Sequence, residues 1–303
     1  MQNKRATKGK NKKTKKQIVF QIITIVLICA AGVGSGFYCG MLYLSSKIPK
    51  VNYGAYSEEL LKPNISEVQA RTNGKNLSQV SAVDAFVLAQ YNVENCEKYI
   101  STSSSTLTHN FGKQSVYTYK HKYNGQILKK EISTSSMKSI ANLIKFDGQE
   151  VLLYGGTAKS ATTAEWSNTF QKYSIASFKN VYGISPIDLV PYIVSEKTIS
   201  SEDTNATVAG KGIRLANGNY RFAISLDTKS SVINYVKQVK ISSGSSAYPT
   251  FLQLDIVFEI TPDFKFASIS STEMYTFSYS GIAVTCSGIL TTIYDYISTP
   301  TEV

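Results

Sequence analysis

A chain of 303 residues, 43% hydrophobic and 17% charged, is long enough to bury a core of its own, which argues against a disordered tail or a disulfide-stapled miniprotein. Its formal charge of +11 would suit a nucleic-acid binder if it were spread over a folded surface. Eight of those charges, Lys4, Arg5, Lys8, Lys10, Lys12, Lys13, Lys15 and Lys16, stand together at the start and leave +3 for the rest, so no nucleic-acid partner is expected.

Residues 1–17 read as a basic cytoplasmic tail able to touch an anionic inner leaflet. Residues 18–46 carry no charge, and this run of 29 exceeds the roughly 20 residues that span a bilayer. The pattern predicts a single transmembrane anchor, basic end inside, with the bulk of the chain extracytoplasmic at the cell membrane. A cleavable leader uses the same segments, with Cys29-Ala30-Ala31 as the cut. The apolar character that resumes with Phe37, Tyr38, Met41 and Leu42 favours retention. Gly32, Gly36 and Gly40 line one face at four-residue spacing, the packing mode by which membrane helices self-associate into a homodimer. Glycine is also simply common in such helices, which is the plainer reading of the same stripe.

Residues 47–77, with Pro49, Pro63, Gly54 and Gly74 and no sustained period, read as a stalk before an extracytoplasmic domain at 78–303. Ser81 is a good N-cap for a helix running to about Cys96, with Val83, Phe86, Val87 and Tyr91 near one face. The grammar then turns to β. Asn124-Gly125, Asp147-Gly148 and Asn217-Gly218 are two-residue turn signals. They predict hairpins of 115–123 with 126–133, 140–146 with 149–154, and 206–216 with 219–227. Helices are expected at 175–182, 186–193 and 231–239. Residues 251–260 alternate, with Leu252, Leu254, Ile256, Phe258 and Ile260 on one side and Gln253, Asp255 and Glu259 on the other. Strands at 265–271, 273–279 and 283–296 follow the turn at Thr261-Pro262-Asp263.

The catalytic inventory is thin. His109 and His121 are the only histidines, and the chain carries no HExxH, CxxC, Walker A or GxSxG pattern. Ser135-Ser136-Met137-Lys138 matches SxxK without its companion motifs, and chance matches are expected in a chain this rich in Ser and Lys. No metal cluster, cofactor or enzymatic activity is therefore expected. Cys96 and Cys286 are the cysteines of the exported part, where a disulfide could persist; two buried free thiols are the alternative.

Tyr235-Val236-Lys237-Gln238, Tyr248-Pro249-Thr250-Phe251 and Thr285-Cys286-Ser287-Gly288-Ile289-Leu290 resemble segments of uncharacterised membrane-anchored or lipoprotein-like proteins of Gram-positive bacteria. More distantly, the pattern is similar to the half-barrels of periplasmic lipoprotein carriers and mycobacterial lipid-binding lipoproteins. That resemblance implies a mainly β (α+β) fold, an antiparallel half-barrel with a few covering helices, that cradles a lipid, lipoprotein or other amphiphile. Leu252, Leu254, Ile256, Phe258 and Ile260 would then line part of the cavity, or form plain core. The alternative function is a bitopic scaffold subunit of a secretion or envelope assembly, self-associating through its anchor glycines.

Overall fold

A computed structural model describes residues 50–135, 139–200, 212–243, 245, 247–279 and 282–300. The anchor, with Gly32, Gly36 and Gly40, lies outside the described residues, and no described helix is long and apolar enough to cross a membrane. Residues 48–303 form one compact unit.

The unit is built on a large, open, curved antiparallel sheet of eleven strands in the order β6-β5-β4-β3-β2-β1-β11-β10-β9-β8-β7. One half is the meander β1 (Lys98–His109), β2 (Gly112–Tyr123), β3 (Gln126–Ser135), β4 (Ser139–Phe146), β5 (Glu150–Ala158) and β6 (Ala164–Ser174). The other comprises β7 (Ile213–Arg214), β8 (Tyr220–Ser225), β9 (Thr250–Ile260), β10 (Phe266–Tyr279) and β11 (Ile282–Asp295). The halves join where β1 pairs with β11, from Ile100 opposite Asp295 to His109 opposite Cys286.

The turn chemistry explains the meanders. Asn124 and Gly125 both take positive φ, 50° and 77°, the two-residue turn whose twist matches its flanking strands. Asp147 Oδ1 accepts the amides of Gln149 and Glu150 at 2.9 and 2.8 Å, and Gly148 follows it at φ 101°.

Helices cover one face. Ahead of β1 come α1 (Glu58–Leu61), α2 (Ile65–Thr72) and α3 (Ala82–Asn95); α4 (Ile175–Tyr182) and α5 (Tyr235–Ser243) lie between the half-sheets in sequence. Ser81 caps α3 by accepting the amide of Asp84 at 3.1 Å. The α3 ring of Phe86, fully buried, meets Phe258 and Phe266 edge-on at 5.1 and 4.9 Å. This is the centre of a first apolar cluster under β8–β11. A second, smaller cluster gathers Ile127, Ile144, Phe146, Val151 and Leu153 of β3–β5 around Phe178 of α4.

Four expectations are corrected. The segment read as a stalk is packed onto the domain: Tyr53, Val68 and Leu77 are buried, and the Tyr53 hydroxyl donates to Pro249 O at 2.9 Å. The helix expected at 186–193 is a run of turns and bends, because Pro191 interrupts it and side chains take its main-chain groups (below). The helix expected from 231 starts at Tyr235, after turns held by the Asp227 carboxylate. The strands expected at 265–271 and 273–279 are the single strand β10.

Gly183 ends α4 at φ 81°, and a Cβ there would stand 2.2 Å from Asn234 O, next to α5. Gly183→Ala is therefore expected to lower unfolding free energy by at least about 2 kcal/mol, from the left-handed backbone alone plus the displaced contact. Phe86→Ala is expected to cost about 3–5 kcal/mol. Urea denaturation of both variants checks these values.

Candidate functional site

Cross-strand partners share a face, so the registers define which side chains look toward the helices. On β9 these are Leu254, Ile256, Phe258 and Ile260, all essentially inaccessible and packed in the first cluster. Leu252 is not among them: it is 45% exposed. A register irregularity sets Phe251, rather than Leu252, opposite Tyr275 and turns Leu252 to the outer face. The alternation expected to include Leu252 thus holds only from Leu254 onward.

The two cysteines do not pair; both are free. Cys96 caps the end of α3, its thiol donating to Val93 O at 3.1 Å. Cys286 is buried in mid-sheet opposite Tyr275 and His109.

Between the two apolar clusters the helix-side face is polar. Its rows run Tyr294–Ser101–Lys120–Lys129–Ile144–Leu153 and, one step along, Tyr99–Lys122–Ile127–Phe146–Val151. Apolar character returns only two strands beyond Lys120. Lys122 Nζ donates to Glu94 O at 2.6 Å and so neutralises the C-terminal end of α3. Lys129 pairs with Glu131 at 2.5 Å.

Lys120 is different. It is 4% exposed, and its ammonium donates to two main-chain carbonyls, Ile187 O at 3.3 Å and Asp188 O at 2.9 Å. Burial, with the nearby Lys129 charge, pushes it down to about 7. Its Nζ lies 5.9 Å from the ring centroid of Tyr99, a 1% exposed residue whose hydroxyl has no partner.

The carbonyls that hold Lys120 belong to a coil at 184–194, here called the strap. It begins over the second cluster, where Ile187 packs. It ends in the first, where Tyr192, Ile193 and Val194 are buried. Ser185 and Asp188 brace each other, the Ser185 amide donating to Asp188 Oδ2 at 2.8 Å. The strap therefore crosses the polar strip, pinned near its middle by Lys120.

Farther along the same face, Glu273 of β10 is 4% exposed and accepts the Tyr235 hydroxyl at 2.7 Å. Burial pushes its carboxyl up to about 7. Outside the sheet, a cleft of about 320 Å³ is lined by Glu58, Glu59, Lys62, Lys179, Asn180, Asn234 and Lys237. Burial pulls Glu58 upward, but hydrogen bonds from Lys179, Lys62 and Asn234 hold it down to about 2. No group of three or more His, Cys, Asp or Glu among the described residues could hold a metal.

Sequence reasoning missed Lys120 and Glu273. In β2 the alternation separates Lys120 and Lys122 from Tyr117, Tyr119 and His121, and the aromatic set would be assigned inward. In the structure Lys120 and Lys122 take the helix side, while His121 on the other phase is buried as well. The available signal was the pair of lysines two apart inside a β-prone stretch with no acidic residue beside them.

Compared with known proteins, the chain matches no protein-family model and no curated protein. The proposed likeness to Gram-positive lipoprotein-like proteins receives no support from either. Among solved structures it is similar to a DUF1329 family protein from Desulfovibrio piger, at 8% identity and a TM-score of 0.26, over 74% of this chain and 95% of that one.

The Glu273 environment sets a pH response. Between pH 4.5 and 7 the unfolded carboxyl loses its proton while the buried one keeps it, so stability falls as pH rises through this window and levels off above about 7. The fall should approach about 3 kcal/mol. Glu273→Gln should remove most of that slope, the Glu94 carboxyl, also raised by burial, supplying a remainder of the same sign, and should make the variant the more stable protein at pH 7.5, as urea denaturation from pH 4 to 8 would reveal.

Proposed function

We propose that the chain is a single-pass membrane protein whose extracytoplasmic β domain binds an amphiphile, a lipid or lipoprotein being the natural classes, and catalyses nothing. The observation that carries this reading is the helix-side face itself. It runs apolar, polar, apolar across the sheet, and its middle is roofed by a non-helical strap rather than a packed helix. A face of that kind offers hydrocarbon contacts beside a buried polar anchor, the composition of small-molecule sites. The uncharged run at 18–46 supports the membrane setting.

The non-enzymatic part rests on the missing catalytic motifs and on the separation of Lys120 from Glu273. Lys120 is in the row of Ser101 and Glu273 in the row of Leu107, six positions apart on β1 and about 20 Å along the strand. Two perturbed groups at that distance do not share a reacting atom.

A scaffold role is the second reading. It is favoured by the outer face of β9 and β11, where Leu252, Val257, Ile289 and Ile293 stand exposed among serines and threonines. Self-association through Gly32, Gly36 and Gly40 would complement such a surface.

Native mass spectrometry of residues 48–303, purified gently from the native host and followed by lipid extraction, tests the first reading. A co-purifying lipid near one per chain is expected. A clean apo mass, together with loss of assembly in a full-length Gly36→Ile variant, would transfer the proposal to the scaffold.

A further inference from the structure

The strap residue Ile187 does two things at once. Its carbonyl oxygen accepts from the Lys120 ammonium, and its hydrocarbon side chain packs with the second apolar cluster. An oxygen on a buried cation with a hydrocarbon beside it is the outline of an amphiphile, and one row of the sheet leads from Lys120 through Lys129 to Ile144 and Leu153.

The cation is also electrostatically unfinished. Asp188, Glu94 and Glu131 act on it through space, but its hydrogen bonds are to neutral carbonyls and none of those carboxylates lies within 4.0 Å of it. Lys62, Lys129 and Lys179 each have a carboxylate within 3 Å. Buried ammonium groups are ordinarily paired, because desolvation without a counter-charge costs several kcal/mol. The ring of Tyr99, whose hydroxyl has no partner, stands on the same face, its centroid 5.9 Å from the ammonium. The ammonium thus faces the strap with neutral carbonyls as its direct acceptors.

We infer that the ligand is an anionic amphiphile whose head-group takes the place of the Ile187 and Asp188 carbonyls on Lys120, with the Tyr99 hydroxyl as a second donor and the tail displacing Ile187 over Ile144 and Leu153. The inference rests on the amphiphile-binding reading and sharpens it to a charge and a residue. Carboxylate and phosphate heads satisfy the same chemistry, since each offers the ammonium a full negative charge where two dipoles now stand. Entry lifts the strap locally, as its residues 187 and 188 give up their contacts with β2.

The test is equilibrium binding to the full chain held in amphipol, with oleate, lysophosphatidate, monoolein and inorganic phosphate as probes. Oleate or lysophosphatidate is expected to bind at least tenfold tighter than monoolein, and phosphate without a tail should not bind. Lys120→Met is expected to erase the anionic preference while leaving monoolein binding, which also reports that the variant is folded. Lys120→Arg should restore it, and Tyr99→Phe should lower anionic affinity about threefold. Amide exchange at 184–194 should quicken with the bound anion. Equal binding of monoolein and the anions, unmoved by Lys120→Met, would overturn this inference and leave the amphiphile reading standing. Binding of none of the four probes would overturn both, and phosphate binding as tightly as oleate would replace the amphiphile by a simple anion.

Discussion

An eleven-stranded open sheet spans roughly 50 Å across its strands, and each helix laid on it covers only about 10 Å. Among the described residues after position 80 there are three helices of eight or more residues; they pack mainly on strands to either side of β1 and β2, and α4 meets α5 at Gly183. Helices α3 and α5 serve the first apolar cluster, and α4 serves the second. What remains is the middle, where β1 and β2 present serines, threonine and two lysines. That shortage of helical cover decides most of what is unusual in the domain. A strip that no apolar helix roofs has no reason to be apolar, and a coil that must cross it needs partners for its main chain.

The lysines supply those partners. Lys122 binds the carbonyl at the end of α3, and Lys120 binds the strap, so two neighbouring positions of one strand hold two different pieces of the roof. The region before β1 adds a third fastening. Arg71 of α2 reaches Asp84 near the start of α3 at 2.6 Å, and Tyr53 is tied to Pro249. Polar contacts of this sort are individually modest, and exposed ion pairs more so. Their effect here is positional, fixing the loops against a sheet whose own ladders are already complete.

The hairpins were legible because tight turns admit few residue types: Asn124 and Gly125 both take positive φ, and at the second hairpin Gly148 does so while the Asp147 carboxylate accepts the amides that follow. Ser81 marked the start of α3, and the expected 175–182 helix coincides with α4. Strand β1 carried almost no apolar alternation, since its run Ser101-Thr102-Ser103-Ser104-Ser105-Thr106 is a strand only by virtue of β2 and β11 on either side. Strand β6, an edge with mostly exposed side chains, gave an equally weak signal, although Trp166 on it covers Gly156 so closely that a Cβ would stand 2.7 Å from the ring. The bulge that ejects Leu252 depends on pairing with β10, a long-range fact that no local period contains. The polar strip was hidden for a related reason. Which phase of an alternating strand faces inward is fixed by what covers it, and over β2 the cover is a coil carrying carbonyls.

The strap and Lys120 belong to one arrangement. Had residues 186–193 formed the expected helix, its interior carbonyls would have been used within the helix, and the ammonium would have been left with fewer acceptors. Pro191 and the bracing of Ser185 by Asp188 keep that segment out of a helix, which leaves Ile187 O and Asp188 O free to accept from the sheet. Glu273 is the instructive contrast. It is as deeply buried as Lys120, yet its contact is a hydroxyl donated by Tyr235 on α5, an element held by the main cluster through Val236 and Val239. A buried group answered by a packed helix fastens the core. A buried charge whose hydrogen bonds go only to the dipoles of a coil is held by the part of the roof most readily exchanged, because releasing it requires no helix to unpack and no ladder to break.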